Sequence, residues 1–272
     1  MHAILEDRAV VRLSGPDWRS FLQGLVSQDV ETLQPGELRY TALLTPQGRL
    51  RFDLFLFGED DGVAVEVAAA ARDELVKALT LYRLRAKATI APVDDPVAVA
   101  WGEPPAGEGW RSDPRLPALG WRRLGAAPAG PSGDPGGDYR AHRLALGVAD
   151  PAEDTAEPLY PIEANLDLLN GIDFRKGCFV GQETTSRMKR RGPVKSRIAP
   201  IAYDGAPPQA GSEVLANELR AGWVLSGIEG RSLALLRIDR AAGQALRVED
   251  RPVRLDLPAW LEPAFALADT QA

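Results

Sequence analysis

The sequence predicts an α+β fold, and three observations carry that reading. Runs of β-prone residues with period-two alternation stand beside segments whose apolar residues follow helical spacing. The two kinds do not alternate in the strand–helix–strand rhythm that builds a parallel sheet. From Pro193 onward the chain consists of short β-prone runs cut by Gly, Pro and Asn, the pattern of a small barrel.

In chain order, Ala9–Leu13 reads as a strand, and Ser14 with Pro16 opens a helix through Trp18, Phe21, Leu22 and Leu25. Gly48–Phe57, GRLRFDLFLF, reads as a strand with Leu50, Phe52, Leu54 and Leu56 on one face. The turn GEDDG and the run VAVEVA bring it back as a hairpin. Ala71–Arg85 spaces Leu75, Ala78, Leu79 and Tyr82 as a helix does, and AKATIAPV follows as a strand. Residues 103–138 hold seven prolines and eight glycines in 36 residues, so a flexible, partly ordered connection ending in a short strand is expected, with a mobile loop at 130–138. Ile162–Asn170 is expected to be a short helix burying Ile162, Leu166 and Leu169. RIAPIAY, AGWVLSGI, SLALLRI and ALRVEDRPVRLDL supply strands to a C-terminal barrel domain at 193–272.

Of the 272 residues, 45% are apolar and 26% charged, ample material for a globular core. No segment has the apolar length of a bilayer span. The start, MHAILEDRAVVRL, lacks a basic region leading into an apolar one, so neither a membrane location nor a secretory leader is expected. One cysteine excludes an internal disulfide and suits a reducing compartment, and the expected location is the cytoplasm. A formal net charge of −6 argues against general nucleic-acid binding. Locally the balance reverses: Arg175 to Arg197 holds eight basic residues and one acid, a patch suited to an anionic ligand or partner.

The lone cysteine, Cys178, lies in that patch, in RKGCFVGQE. A thiol acts as nucleophile or metal ligand in its ionised form, which nearby cations such as Arg175 and Lys176 favour. A small buried apolar side chain is the competing reading, and both stay open on these residues alone. A cysteine hydrolase needs a histidine base, and His2 and His142 are poorly suited. Without Cys-x-x-Cys, His-x-x-x-His or His-Glu-x-x-His, no resident zinc or complete iron–sulfur cage is expected. One thiolate can still give a single ligand to a transient cluster shared with another protein. Asp53 sits mid-strand on a half-apolar face with Arg49, Arg51, Phe55 and Phe57, and Arg51 is the expected structural partner. Glu163 and Asp167, one helical turn apart, repel unless a cation or a donor-rich ligand intervenes. No GxGxxG, P-loop or G-x-S-x-G is present.

The stretch PIEANLDLLNGIDFRKGCFVGQETTSR resembles the YgfZ family of folate-binding iron–sulfur cluster assembly proteins, whose mitochondrial relative is the Iba-type maturation factor. The family pattern K-G-C-(Tyr or Phe)-x-G-Q-E is matched throughout by Lys176, Gly177, Cys178, Phe179, Gly181, Gln182 and Glu183. FLQGLVSQDVETLQPGELRYTALLTPQGRLRFDLFLF, YRAHRLALGV and AGSEVLANELRAGWVLSG extend the resemblance over most of the chain. It implies a fold similar to the glycine-cleavage T-protein, with two interleaved subdomains in 1–192. It implies tetrahydrofolate or a derivative as ligand, with Asp53 and Glu163 toward the pterin, Asn165 also binding the cofactor, and Arg187 toward the anionic tail. It also implies Cys178 as the functional thiol of an assembly factor, more than an enzyme, with iron–sulfur client or carrier proteins as partners. T-proteins have no such cysteine. The alternative it leaves is a tetrahydrofolate-dependent aminomethyltransferase of the T-protein kind.

Overall fold

The chain enters the fold through two strands, β1 (His2–Leu5) and β2 (Arg8–Ser14), and a first helix, α1 (Trp18–Gln23). A meander of β3 (Leu38–Leu44), β4 (Leu50–Glu59) and β5 (Gly62–Ala68) follows, then α2 (Arg72–Arg83) and β6 (Thr89–Val93). These strands make an antiparallel sheet in the order β3-β4-β5-β2-β6. The hairpin and α2 fall where apolar spacing places them. One sheet face sends Val11, Leu13, Phe52, Leu54, Leu56 and Val65 against Trp18, Leu22, Leu75 and Leu79 of the two helices. Burying each such leucine contributes about 1.5–3 kcal/mol.

The structure is a computed structural model that describes residues 1–125, 135–155, 157–190 and 194–266. Its chain divides into two compact units, Met1–Arg140 with Leu169–Gln182 and Ala141–Leu168 with Glu183–Ala272.

The first unit has a second sheet, β1-β7-β9-β8, built from β7 (Val97–Ala100), β8 (Arg111–Ser112) and β9 (Trp121–Leu124). Two of its strands come from the described part of the proline- and glycine-rich segment, which is more ordered than its composition suggests. Prolines and glycines there make turns instead of preventing structure. Gly120 has φ +91°, and a Cβ on it would meet the Ala100 carbonyl oxygen at 2.0 Å. Part of the loop expected at 130–138 lies outside the described residues, and from Pro135 the chain is already helical, as α3 (Pro135–Ala145).

The other face of β4 is buried too, and it is charged. Arg8 Nε donates to Glu66 Oε1 at 2.9 Å, and Arg8 Nη2 lies 3.5 Å from Asp53 Oδ2. Arg122 bridges Glu66 at 2.5 Å and Asp113 at 3.1 Å, and Arg115 closes on Asp113 at 2.8 Å. Three guanidiniums thus balance three carboxylates, all buried. The Arg122 guanidinium also lies 3.8 Å from the Phe55 ring centroid, a cation–π contact.

In the second unit, α4 (Pro151–Asp154) precedes a run of turns, and α5 (Gln182–Arg190) leads toward a closed barrel. The barrel comprises β10 (Ser196–Ala202), β11 (Glu213–Ala216), β12 (Leu219–Ile228), β13 (Arg231–Arg237), β14 (Leu246–Val248) and β15 (Arg251–Leu255). Helix α6 (Ile238–Ala241) links β13 to β14, and α7 (Glu262–Ala266) follows β15. Ala199, Ile201, Val214, Val224, Ala234 and Leu236 belong to its core. The helix expected over Ile162–Asn170 does not form. Asn165 (φ 63°) and Asn170 (φ 56°) take the left-handed conformation, which asparagine tolerates better than most residues, and the stretch is a succession of turns. Ile162, Leu166 and Leu169 are nonetheless buried as expected.

Burial alone raises the Asp113 carboxyl, but the charge and hydrogen bonds of Arg115, with Arg122 behind them, hold it below its ordinary value of 3.8. The unfolded state therefore binds this proton more readily, so the stabilisation is present above about pH 4 and is lost as pH falls through the lower folded value. Urea denaturation at pH 7 is expected to show Asp113→Asn less stable by about 3–5 kcal/mol, since it strands Arg115. The deficit is expected to narrow as the medium is acidified below pH 4.

Candidate functional site

The described residues place the KGCFVG part of the motif, Lys176 to Gly181, on a loop of the first unit that ends at the start of α5. Two devices hold that loop. Lys176 Nζ donates to the carbonyl oxygens of Gln23 at 2.8 Å, Val26 at 2.6 Å and Gln28 at 2.9 Å, so its three N–H groups serve the end of α1 and the turn after it. Its ammonium also lies 5.3 Å from the Phe179 ring, which is buried. Gly181 is the second device. Its φ is +78°, and a Cβ there would come within 2.6 Å of the Thr45 carbonyl oxygen and 2.9 Å of Gly48 Cα, in the β3–β4 turn. Gly177 faces open space, and neither φ nor packing demands glycine there.

Between these anchors Cys178 is exposed. The buried apolar reading of the cysteine is thereby excluded. The expected role of its cationic neighbours needs correction as well. Lys176 is committed to backbone carbonyls, and the Arg175 side chain is 95% exposed with a 3.9 Å approach to Asp173. Among the described residues Cys178 has no hydrogen bond or ion pair. Its position is fixed by the loop, not by a charge partner.

Asp53 lies on β4 of the first unit, buried, with Arg8 as its charge partner. The expected partner, Arg51, is turned elsewhere. Leu43 pairs with Phe52 and Leu44 with Leu50, so Arg51 is the extra residue of a β-bulge. It bonds Glu74 of α2 at 2.9 Å instead. Sequence reasoning missed Arg8, Glu66, Asp113, Arg115 and Arg122. Glu66 was findable, being a lone carboxylate inside VAVEVA just as Asp53 is inside RFDLFLF. Glu66 Oε2 is buried without a hydrogen-bond partner among the described residues.

Glu163, Asn165, Glu183 and Arg187 belong to the second unit. Glu163 Oε2 accepts from the Tyr160 amide at 2.9 Å, and the Glu163 carbonyl accepts from Ile198 N–H. Asn165 is buried and uses both ends of its amide: Nδ2 donates to the Ile198 carbonyl at 2.8 Å, and Oδ1 accepts from Arg197 at 3.0 Å. Arg197 also grips Asp167 through two bonds of 2.8 and 2.9 Å, which relieves the expected repulsion with Glu163. Gln182 and Glu183 open α5, and Glu183 pairs with Arg187 one turn on at 3.1 Å, both well exposed.

No helix among the described residues is long and apolar enough to cross a membrane. Nor is any group of three or more His, Cys, Asp or Glu among them placed to hold a metal ion.

Residues 195–263 match the family model described as the CAF17 C-terminal β-barrel domain. The crystal structure of glycine cleavage system aminomethyltransferase T from Bartonella henselae superposes with a TM-score of 0.72 at 15% identity, over 95% of this chain and 85% of that one. That similarity bears out the expected T-protein-like fold. The chain is 35% identical to a mitochondrial iron–sulfur cluster assembly factor IBA57 homolog of Mycosarcoma maydis, over 75% of its own length and 58% of the relative's. A homolog of the same name from Pyricularia oryzae is 33% identical over 97% of this chain and 75% of the relative. Human mitochondrial IBA57 is 31% identical over 76% of this chain and 67% of the relative. The resemblance thus resolves to the Iba-type branch and not to YgfZ itself. The relatives are named mitochondrial, which overturns the cytoplasmic expectation. A low cysteine count reports a reducing medium, not which reducing compartment it is.

Burial pushes the Lys176 ammonium down to about 8, against the opposing charges of Asp29, Asp173 and Glu31. Unfolded, the same amine holds its proton to about 10.5. The unfolded state therefore binds more protons between pH 8 and 10.5, and stability is expected to rise with pH across that window. Lys176→Met is expected to abolish that rise in urea denaturation and to speed amide exchange over 173–180.

Proposed function

This chain belongs to the family of IBA57 iron–sulfur cluster assembly factors, and from that membership we propose that it serves cluster assembly through Cys178 as a ligand offered outward to a partner. The observation that carries the reading is the exposure of the single cysteine on a loop pinned at both ends, by Lys176 and by Gly181. A cluster iron bound there takes the thiolate sulfur as ligand, and the thiol proton leaves to solvent. One sulfur fills one of the positions that iron–sulfur clusters ordinarily fill with four protein ligands. The others come from the protein that delivers or receives the cluster, so the cluster is cargo passed through a shared site.

A finer part of the proposal concerns tetrahydrofolate. A pteridine presents amino and ring N–H donors, and ionised carboxylates accept them without competing donors of their own. Asp53 fits that role as a carboxylate on an aromatic-rich face, with Arg8 as counter-charge. In the same cluster Glu66 Oε2 is an acceptor with capacity to spare. Bound tetrahydrofolate supplies one-carbon carrying capacity, and the chain's own part is to hold the ring by its donors. Glu163 in the second unit is a further carboxylate to be tested in its own right.

In cells lacking their own Iba-type factor, the wild-type chain is expected to restore a cluster-dependent enzyme activity, and Cys178→Ser is expected to fail while folding normally by circular dichroism. Equal rescue by both removes the sulfur from the mechanism. Separately, calorimetric titration with tetrahydrofolate is expected to show Asp53→Asn binding about tenfold or more weaker, the cost of losing a charge-assisted hydrogen bond.

A further inference from the structure

The outside of the barrel carries a cavity of about 310 Å³, lined by Arg220, Gly222 and Trp223 of β12, Leu235 and Arg237 of β13, and Arg240 of α6. It lies within the segment matched to the barrel family, and nothing in the cluster-assembly reading uses it. Trp223 and Leu235 are cross-strand partners whose neighbours Val224 and Leu236 fill the interior, so this pair stands on the outer surface. Gly222, paired with the interior Leu236, lets β13 approach closely beside the pair, since a Cβ on it would come 2.0 Å from the Leu235 carbonyl oxygen. Trp223 is 38% exposed, and Leu219 at the start of the strand is 61% exposed.

The charges around the cavity do not cancel. Arg220 pairs with Glu213 at 3.2 Å and lies 4.5 Å from the Trp223 ring, while Arg237 pairs with Asp239 at 2.5 Å. Arg240 donates to the Arg220 carbonyl at 2.6 Å and makes no ion pair among the described residues. Asp239 also feels the charge of Arg240, so three guanidiniums share two carboxylates and one positive charge is left in excess, with Arg240 the one that makes no ion pair of its own.

We propose that this cavity is an anchor for an acidic segment of a partner protein. One Asp or Glu carboxylate is taken by Arg240, and the apolar residue beside it packs on Trp223 and Leu235. The volume lies at the lower limit for small-molecule sites, which suits one or two side chains better than a cofactor. Tryptophan and arginine are the residues that most often dominate interface energies. A single surplus guanidinium matches one carboxylate and falls short of the several charges of a nucleotide's phosphates.

The test uses the full chain and a fluorescein-labelled peptide of alternating Glu and Leu, read by fluorescence anisotropy. Saturable binding is expected, weaker at about 300 mM than at about 50 mM salt. Trp223→Ala and Arg240→Glu are each expected to lower the affinity about tenfold or more. Lys77→Glu on α2, a charge-matched control, is expected to leave it unchanged. Because Trp223→Ala can disturb the barrel, Arg240→Gln is included, with a thermal midpoint equal to the wild type's required of it. Absence of saturable binding overturns the proposal, as does equal binding by Arg240→Gln. Displacement of the peptide by ATP at lower concentration than by unlabelled peptide also overturns it, assigning the cavity to phosphate compounds. The assay involves neither a cluster nor Cys178, so its failure leaves the cluster-assembly reading intact.

Discussion

The guanidinium of Arg8, shared between Asp53 and Glu66, is the constraint on which the first unit is built. Removing charges from water costs several kcal/mol per ion, and only a complete set of partners offsets it. The set is complete only when β9 and the β8–β9 turn bring Arg122, Asp113 and Arg115 to the face of β4 and β5. A one-residue slip in either sheet would turn these side chains to the opposite face and leave charge stranded. Apolar packing supplies affinity between the layers, and the ionic cluster supplies their register. Asp53 is oriented by this arrangement through Arg8.

A different economy governs the sulfur. Its loop is placed by contacts that never touch it: an ammonium satisfied by three carbonyls on one side and a glycine pressed against a turn on the other. Both anchors belong to the backbone's needs. The thiol is left accessible, which the proposed role as a ligand for shared cargo requires. In the second unit Arg197 performs a comparable service, tying the turns around Glu163 and Asn165 to β10.

Much of the fold was legible because it depends on local periodicity. The β4–β5 hairpin, α2 and the barrel strands each advertise their period over several residues. The helix expected at Ile162–Asn170 failed because its apolar spacing was real while its backbone answered to Arg197 and Ile198, more than 25 residues away. The order of the segment around Asp113 and Arg115 was hidden for a related reason. Proline and glycine counts report flexibility of the isolated chain, and the charge to which Arg122 ties this stretch, Glu66, lies far upstream. Cys178 itself stood out by rarity. The identity of its anchors did not, because a lysine beside a cysteine reads as electrostatic help until its three carbonyl partners are seen.

The way the sheets end has a bearing on how the protein survives at high concentration. The barrel closes on itself and offers no open strand. In the first unit, β6 carries Pro92, β8 is two residues long and β1 four. The longest terminal strand, β3, is capped where Ser27 N–H bonds the Ala42 carbonyl and Val26 bridges Leu43. Each boundary is short, interrupted or covered, which denies neighbouring copies a template for intermolecular β-pairing. Self-assembly into fibrils is thereby disfavoured by strand geometry itself, independently of the net negative charge.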